Sequence, residues 1–229
     1  MICSKKEDRM TTFQPLQEQA YIAIKKMVDN NELEPNTIYS LTQLAKKMNI
    51  SRTPLKDALV RLSQDKYVDI IPSKGFCLHK IDEKDIEDTY QIRKAIELSA
   101  AFSLLDNQFT SFGRLTLRQM SQCLDEMRQL VGNVERLDDF LQLDIRFHDA
   151  LVSFLGNENV SDIYASHSYQ IRTLAKVSLG TENRMENTCD EHDAIIQAIA
   201  DNDAGKLYHA IRSHLITTKN LCQTVFDAE

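Results

Sequence analysis

The chain has 229 residues, 42% hydrophobic and 27% charged, with a net charge of -7 and a mean hydropathy of -0.36. That composition supplies ample apolar material for a core and excludes disorder over most of the length. No stretch approaches the roughly 18–20 uninterrupted apolar residues of a spanning helix, so neither a membrane span nor a membrane partner is expected.

The opening MICSKKEDRMTTF is polar and mixed in charge. It lacks the apolar core of a secretory signal, and residues 1–14 are expected to form a flexible N-terminus. Cys3, Cys77, Cys123, Cys189 and Cys222 are odd in number and far apart, with no C-x-x-C pair. Such usage fits reduced thiols in a cytoplasmic protein. Six Gly, four Pro and no Trp favour long helices over many short strands. Charge is divided unevenly. Residues 1–80 hold 13 Lys and Arg against 9 Asp and Glu, whereas residues 81–229 hold 14 against 25. A basic head on an acidic body suggests a polyanion-binding domain joined to a second domain with another task.

In the head, residues 15–80, the first predicted helix runs from Pro15 to Asn30, with Leu16, Ala20, Ala23, Ile24, Met27 and Val28 at helical spacing. After the loop NELEPNT, Ser40 can cap a short helix, LTQLAKKM, which Asn49 ends in a left-handed turn. Ser51 can cap a third helix, RTPLKDALVRLSQD, buried through Leu55, Ala58, Leu59 and Leu62. Helix, tight turn and helix place the N-terminal end of the latter helix at DNA base edges. Ser51, Arg52, Thr53 and Lys56 lie at that end, and Arg61 follows on the same helix. VDII, PSKG and FCLHK then read as two short strands around a basic wing at Lys74 and Gly75. The segment 16–80, through SRTPLKDALVRL and DKYVDIIPSKGF, resembles the winged-helix domain of GntR-type transcriptional regulators. Lys56 stands where that family usually has Arg, which keeps the charge but loses the bidentate fork. The resemblance implies double-stranded operator DNA as partner.

Residues 81–229 show no convincing strand. Six helices are expected: one capped by Asp82, then about Ser111–Val131, Leu137–Leu155, Val160–Leu179, Glu186–Ala200 and Ala204–Val225. Gly132, Gly156 and Gly180 stand at three of the stops. The expected fold is therefore mostly α: an N-terminal winged helix-turn-helix domain and a C-terminal antiparallel helical bundle.

Asp144 and His148 share a helix face at i and i+4, while His192 and His214 sit beside the apolar stripes of the last two helices. Buried imidazole and carboxylate need partners; spacing alone leaves hydrogen-bonded core histidines and a metal site both open. The segment 82–225 resembles the FCD effector domain attached to one GntR subfamily. RKAIE (Arg93 to Glu97), DIRFH (Asp144 to His148), EHDAI (Glu191 to Ile195) and the HL at His214 carry that resemblance. It implies a divalent transition metal (Zn, Ni, Mn, Co or Fe) held by Asp144, His148, His192 and His214, and a small organic acid effector nearby. Arg93 and Arg172 are the candidate effector contacts, Arg93 having a salt bridge to Glu97 as its alternative use. The whole reads as a homodimeric, effector-responsive transcriptional regulator and not an enzyme. Three other readings share part of the pattern: a metalloenzyme acting on a small carboxylate, a regulator whose bundle binds ligand without metal, and an architectural DNA binder without effector.

Overall fold

The computed structural model describes residues 14–227, so the expectation of flexibility before residue 14 lies outside the described residues. The chain divides into two compact units that meet between Lys80 and Ile81. The first contains α1 (Leu16–Asp29), α2 (Leu41–Lys47), α3 (Arg52–Gln64), β1 (Val68–Ile71) and β2 (Gly75–Leu78). The apolar stripes that define α1 and α3 close on one another. Ala20, Ile24, Leu55, Leu59 and Leu62 are fully buried, together with Tyr67, Val68 and Phe76. Asn49 takes a φ of 53° after α2, which stops that helix and turns the chain into α3. The Ser40 side chain accepts from the Gln43 amide and caps α2. Ser51 occupies the N-cap position of α3, but its side chain makes no capping hydrogen bond, contrary to the sequence expectation.

The two strands pair antiparallel, with Ile71 opposite Gly75. Tyr39 adds a single bridge: its amide donates to the Phe76 carbonyl at 2.7 Å, and the Phe76 amide donates back to Tyr39 at 3.1 Å. A one-residue pairing has no periodicity, so nothing in NELEPNTIYS announces it. It constrains Gly75, whose φ is 146°; a Cβ there would stand 2.0 Å from the Tyr39 carbonyl oxygen.

The second unit is all helical among the described residues. It comprises α4 (Glu83–Asn107), α5 (Ser111–Arg128), a 3-10 turn (Val134–Arg136), α6 (Leu137–Ser153), α7 (Glu158–Ser166), α8 (Ser168–Leu179), α9 (Arg184–Ala200) and α10 (Ala204–Phe226). A reciprocal capping box between Asp82 and Asp85 starts α4. This helix packs against α6, α7, α8, α9 and α10, so it buries residues around most of its circumference. The single helix expected from Val160 to Leu179 is two, broken at His167. Ser166 Oγ donates to the Ile163 carbonyl at 2.8 Å and Ser168 Oγ to the Ala165 carbonyl at 2.7 Å. Such local side-chain bonds compete with the helical ladder. Gly132 and Gly156 take positive φ as expected of helix stops, but Gly180 ends α8 with a right-handed φ of -72°.

Gly75→Ala is expected to lower the unfolding free energy by at least about 2 kcal/mol, because both a strained φ and a backbone clash oppose the methyl group. Urea unfolding checks this, and an unchanged midpoint would contradict the Tyr39–Gly75 contact.

Candidate functional sites

Two regions gather the residues singled out from sequence. On the first unit, Ser51, Arg52, Thr53 and Lys56 are exposed at the N-terminal end of α3, while Leu55, Ala58, Leu59 and Leu62 face inward. The base-reading end of a recognition helix requires this division of faces. Lys74 is exposed in the turn between β1 and β2. Arg61 is placed differently. Its Nη1 donates to Glu18 Oε2 at 2.7 Å and its guanidinium stacks 3.9 Å from the Tyr21 ring centroid, which fastens α3 to α1. Gly75 is buried against Tyr39 and shapes the wing from within.

The second region lies inside the helical unit. His148 on α6, His192 on α9 and His214 on α10 are all buried, and one ligand atom of each lies within 4.8 Å of the others. Their ring centroids are 4.9–5.1 Å apart. Asp144 lies one turn before His148 and places Oδ1 3.5 Å from His192 Nε2. The sequence-predicted residues Asp144, His148, His192 and His214 are thus brought to one place.

Each imidazole is held by a different device. His214 Nδ1 is 2.6 Å from Glu191 Oε2. Burial opposes ionisation of Glu191, but hydrogen bonds from His214 and Arg184 outweigh it and hold the carboxyl down at about 2. An ionised carboxylate only accepts, so Nδ1 is the donor of this contact, and burial lowers the His214 pKa, which favours the form with a lone pair on Nε2. His148 Nδ1 stands 3.0 Å from Glu97 Oε2, which is 1% exposed. Glu97 Oε1 accepts from Arg93 Nε at 2.7 Å and from Tyr164 Oη at 2.9 Å. Burial again opposes ionisation of Glu97, yet Arg93 and His148 hold its carboxyl well below the usual range. His192 stacks on Phe147, with centroids 3.9 Å apart and planes 3° from parallel. Burial, with His214 and His148 adding to it, drives the His192 pKa well down, so this ring is neutral near pH 7.

Several buried atoms here make no hydrogen bond of good geometry: both nitrogens of His148 (Nδ1 despite its 3.0 Å approach to Glu97), both of His192, Thr188 Oγ1 and Arg93 Nη2. Uncompensated buried polar atoms are costly, and their clustering marks a place for something that binds them. Imidazole nitrogens suit a transition metal, and the open guanidinium donor suits an anion. Arg93, Asp144, Ser178, Arg184, Thr188 and His214 line a small cavity beside the imidazoles, of about 10 Å³, which is room for about one water. Arg93 therefore combines the salt bridge to Glu97 with a place on the cavity wall. Arg172, the other sequence candidate, is half-buried on α8 and is not part of that wall.

Arg184, Thr188, Glu191 and Tyr164 escaped the sequence reading. The predicted fifth helix began at Glu186, so Arg184 had no assigned face; α9 begins at Arg184 and puts it two turns from Glu191. The signal for Glu191 was its place directly before His192 in EHDAI.

Residues 16–78 match the gntR family of bacterial regulatory proteins, and residues 88–217 match the FCD domain. The chain belongs to the GntR family of DNA-binding transcriptional regulators, in the group that carries an FCD domain. It is 25% identical to the HTH-type transcriptional regulator YdhC of Bacillus subtilis, over 81% of each chain. It is 24% identical to the HTH-type transcriptional repressor RspR of Escherichia coli, over 91% of this chain and 90% of that one. The fold is that of Escherichia coli McbR/YncC, with a TM-score of 0.70 and 16% identity over 93% of this chain and 100% of the other. The family and these relatives are transcriptional regulators, not enzymes. No helix among the described residues is long and apolar enough to cross a membrane.

Replacing Glu97 by Ala would strand the buried Arg93 charge. A loss of about 3–5 kcal/mol of unfolding free energy is expected, read by urea denaturation; a loss below about 1 kcal/mol would show that the pair does not hold α4 in place.

Proposed function

We propose that this regulator controls operator affinity through a small organic acid bound beside a divalent metal in its helical unit. The carrying observation is the cluster of three buried imidazoles, with partnerless nitrogens, next to a small cavity lined in part by Arg93, whose Nη2 also lacks a partner. Asp144, His148, His192 and His214 would hold the metal. Three imidazoles and one carboxylate suit Zn, Ni, Mn, Co or Fe. When bound, the metal supplies a Lewis-acidic point of attachment for a carboxylate. Arg93 Nη2 gives that carboxylate a charge-assisted hydrogen bond, and Thr188 Oγ1 offers a neutral one.

On the DNA side, Arg52, Thr53 and Lys56 read or position the major groove, Ser51 meets the backbone, and Lys74 reaches the phosphates from the wing. A homodimer matches two such heads to a palindromic operator. Metal and effector favour one packing of the helical unit, and that packing sets operator affinity. By linkage, DNA then changes effector affinity by the same factor.

Arg52→Ala is expected to cost about 1–3 kcal/mol of operator binding and to relax specificity. Lys74→Ala should weaken binding to all sequences alike and reduce the salt slope by about one. Fluorescence anisotropy on an operator selected from random DNA reads both. Operator affinity unmoved by Arg52→Ala would place the reading face elsewhere. For the metal, elemental analysis of the purified chain should find about one transition metal per protomer, removable by chelation and lost in His148→Ala. No metal after reloading would overturn the metal half of the proposal.

A further inference from the structure

The two carboxylates behind the imidazoles are unequal in a way that assigns them work. Glu191 Oε2 meets His214 Nδ1 at 2.6 Å, and both Glu191 oxygens are gripped by Arg184, Nη1 and Nη2 each at 2.7 Å. Every nitrogen of Arg184 has a partner: its Nε donates to Ser178 Oγ at 3.3 Å and Nη2 also to Thr218 Oγ1 at 3.0 Å. Thr218 Oγ1 in turn donates to the His214 carbonyl at 2.8 Å, which closes a ring of contacts around this one imidazole. Arg93 grips Glu97 through Nε alone and leaves Nη2 without a partner. One buried arginine is thus spent on its carboxylate, and the other still has a donor for a ligand.

We infer that Glu191, clamped by Arg184, is a positioning residue that presents His214 Nε2 to the metal, and that Arg184 serves this clamp while Arg93 is the arginine that meets the effector. This rests on the proposed metal reading. The physical reason is general: a metal-bound imidazole whose other nitrogen donates to a carboxylate is fixed in tautomer and ring angle and gains basicity. His192 gets its orientation from the Phe147 stack, but His214 makes no such ring contact with a phenyl group among the described residues. Without Glu191, the His214 proton could sit on either nitrogen and the ring would be free to turn. Glu191 is also the better residue to alter, because its side chain is 21% exposed whereas that of Glu97 is 1% exposed in the core.

The test uses the full chain, stripped by chelation, with Co²⁺ alone titrated against a chromophoric chelator. Glu191→Gln keeps an acceptor for Nδ1–H but loses the charge; Glu191→Ala loses both. Co²⁺ affinity is expected to fall about 10- to 100-fold across the two variants, with Gln the milder. The visible Co²⁺ absorption should change in Ala and be partly restored in Gln, a signature that loss of packing alone would not move. Circular dichroism checks folding, and Gln, being isosteric, carries the test if Ala unfolds. Wild-type affinity and spectrum in a folded Glu191→Gln would overturn the inference while leaving the metal reading intact. Absence of Co²⁺ binding by the unsubstituted chain would overturn the metal reading first.

Discussion

Burying three imidazoles among arginine–carboxylate pairs is the constraint around which the helical unit is organised. A charge removed from water costs several kcal/mol unless it is paired and hydrogen-bonded. The unit meets that demand twice, with Arg93–Glu97 behind His148 and Arg184–Glu191 behind His214. Both carboxylates are ionised and both are spent on arginine and imidazole. Among the described residues, the carboxylate that approaches His192 is Asp144, 3.5 Å away. The partnerless nitrogens belong to rings that each bring one ligand atom within 4.8 Å of the others. A cation that takes lone pairs resolves that arrangement, and a core of hydrogen-bonded histidines would not need it.

The helix packing follows from where those groups must stand. Arg93 and Glu97 come from α4, Asp144 and His148 from α6, Arg184 to His192 from α9, and His214 and Thr218 from α10. Four helices therefore converge on the cluster, with α8 and α7 adding Ser178 and Tyr164. Apolar side chains surround it: Phe147 and Leu151 on α6, Ile195 and Ile199 on α9, Ile211 and Leu215 on α10. A ligand that alters the cluster necessarily acts on the helices that supply it, because close-packed interiors shift between discrete packings more readily than they deform. The DNA-binding unit has the opposite chemistry. Arg52 and Lys56, which we propose meet DNA, are exposed at one end of a helix whose other face is core.

Much of this was legible in the sequence, because helical periodicity and capping residues are local signals. The stripes of α1 and α3, the cap at Asp82 and the left-handed Asn49 were all written in adjacent residues. The i, i+4 spacing of Asp144 and His148 and the apolar stripes beside His192 and His214 pointed inward for the same reason. What stayed hidden depended on contacts between distant residues. The break at His167 comes from serine hydroxyls that choose local carbonyls. Arg184 became visible only once α9 started two residues early. Arg61 looked like one more cation on a recognition helix, yet the packing of α1 gives it Glu18 and Tyr21 as partners. The Tyr39–Phe76 bridge joins residues 37 apart in a single pairing, so the need for Gly75 could not be read from the wing itself.

We propose that the buried imidazole cluster is completed by a cation, and stability measures that directly. A ligand that binds only the folded chain raises its unfolding free energy with the logarithm of ligand concentration, by about 2.7 kcal/mol at 100 times the dissociation constant. Chelated full chain should therefore show a denaturation midpoint that climbs steadily with added Zn²⁺, and the climb should vanish in His192→Ala. A midpoint indifferent to Zn²⁺, Co²⁺, Ni²⁺, Mn²⁺ and Fe²⁺ alike, in a chain that unfolds cooperatively, would contradict it.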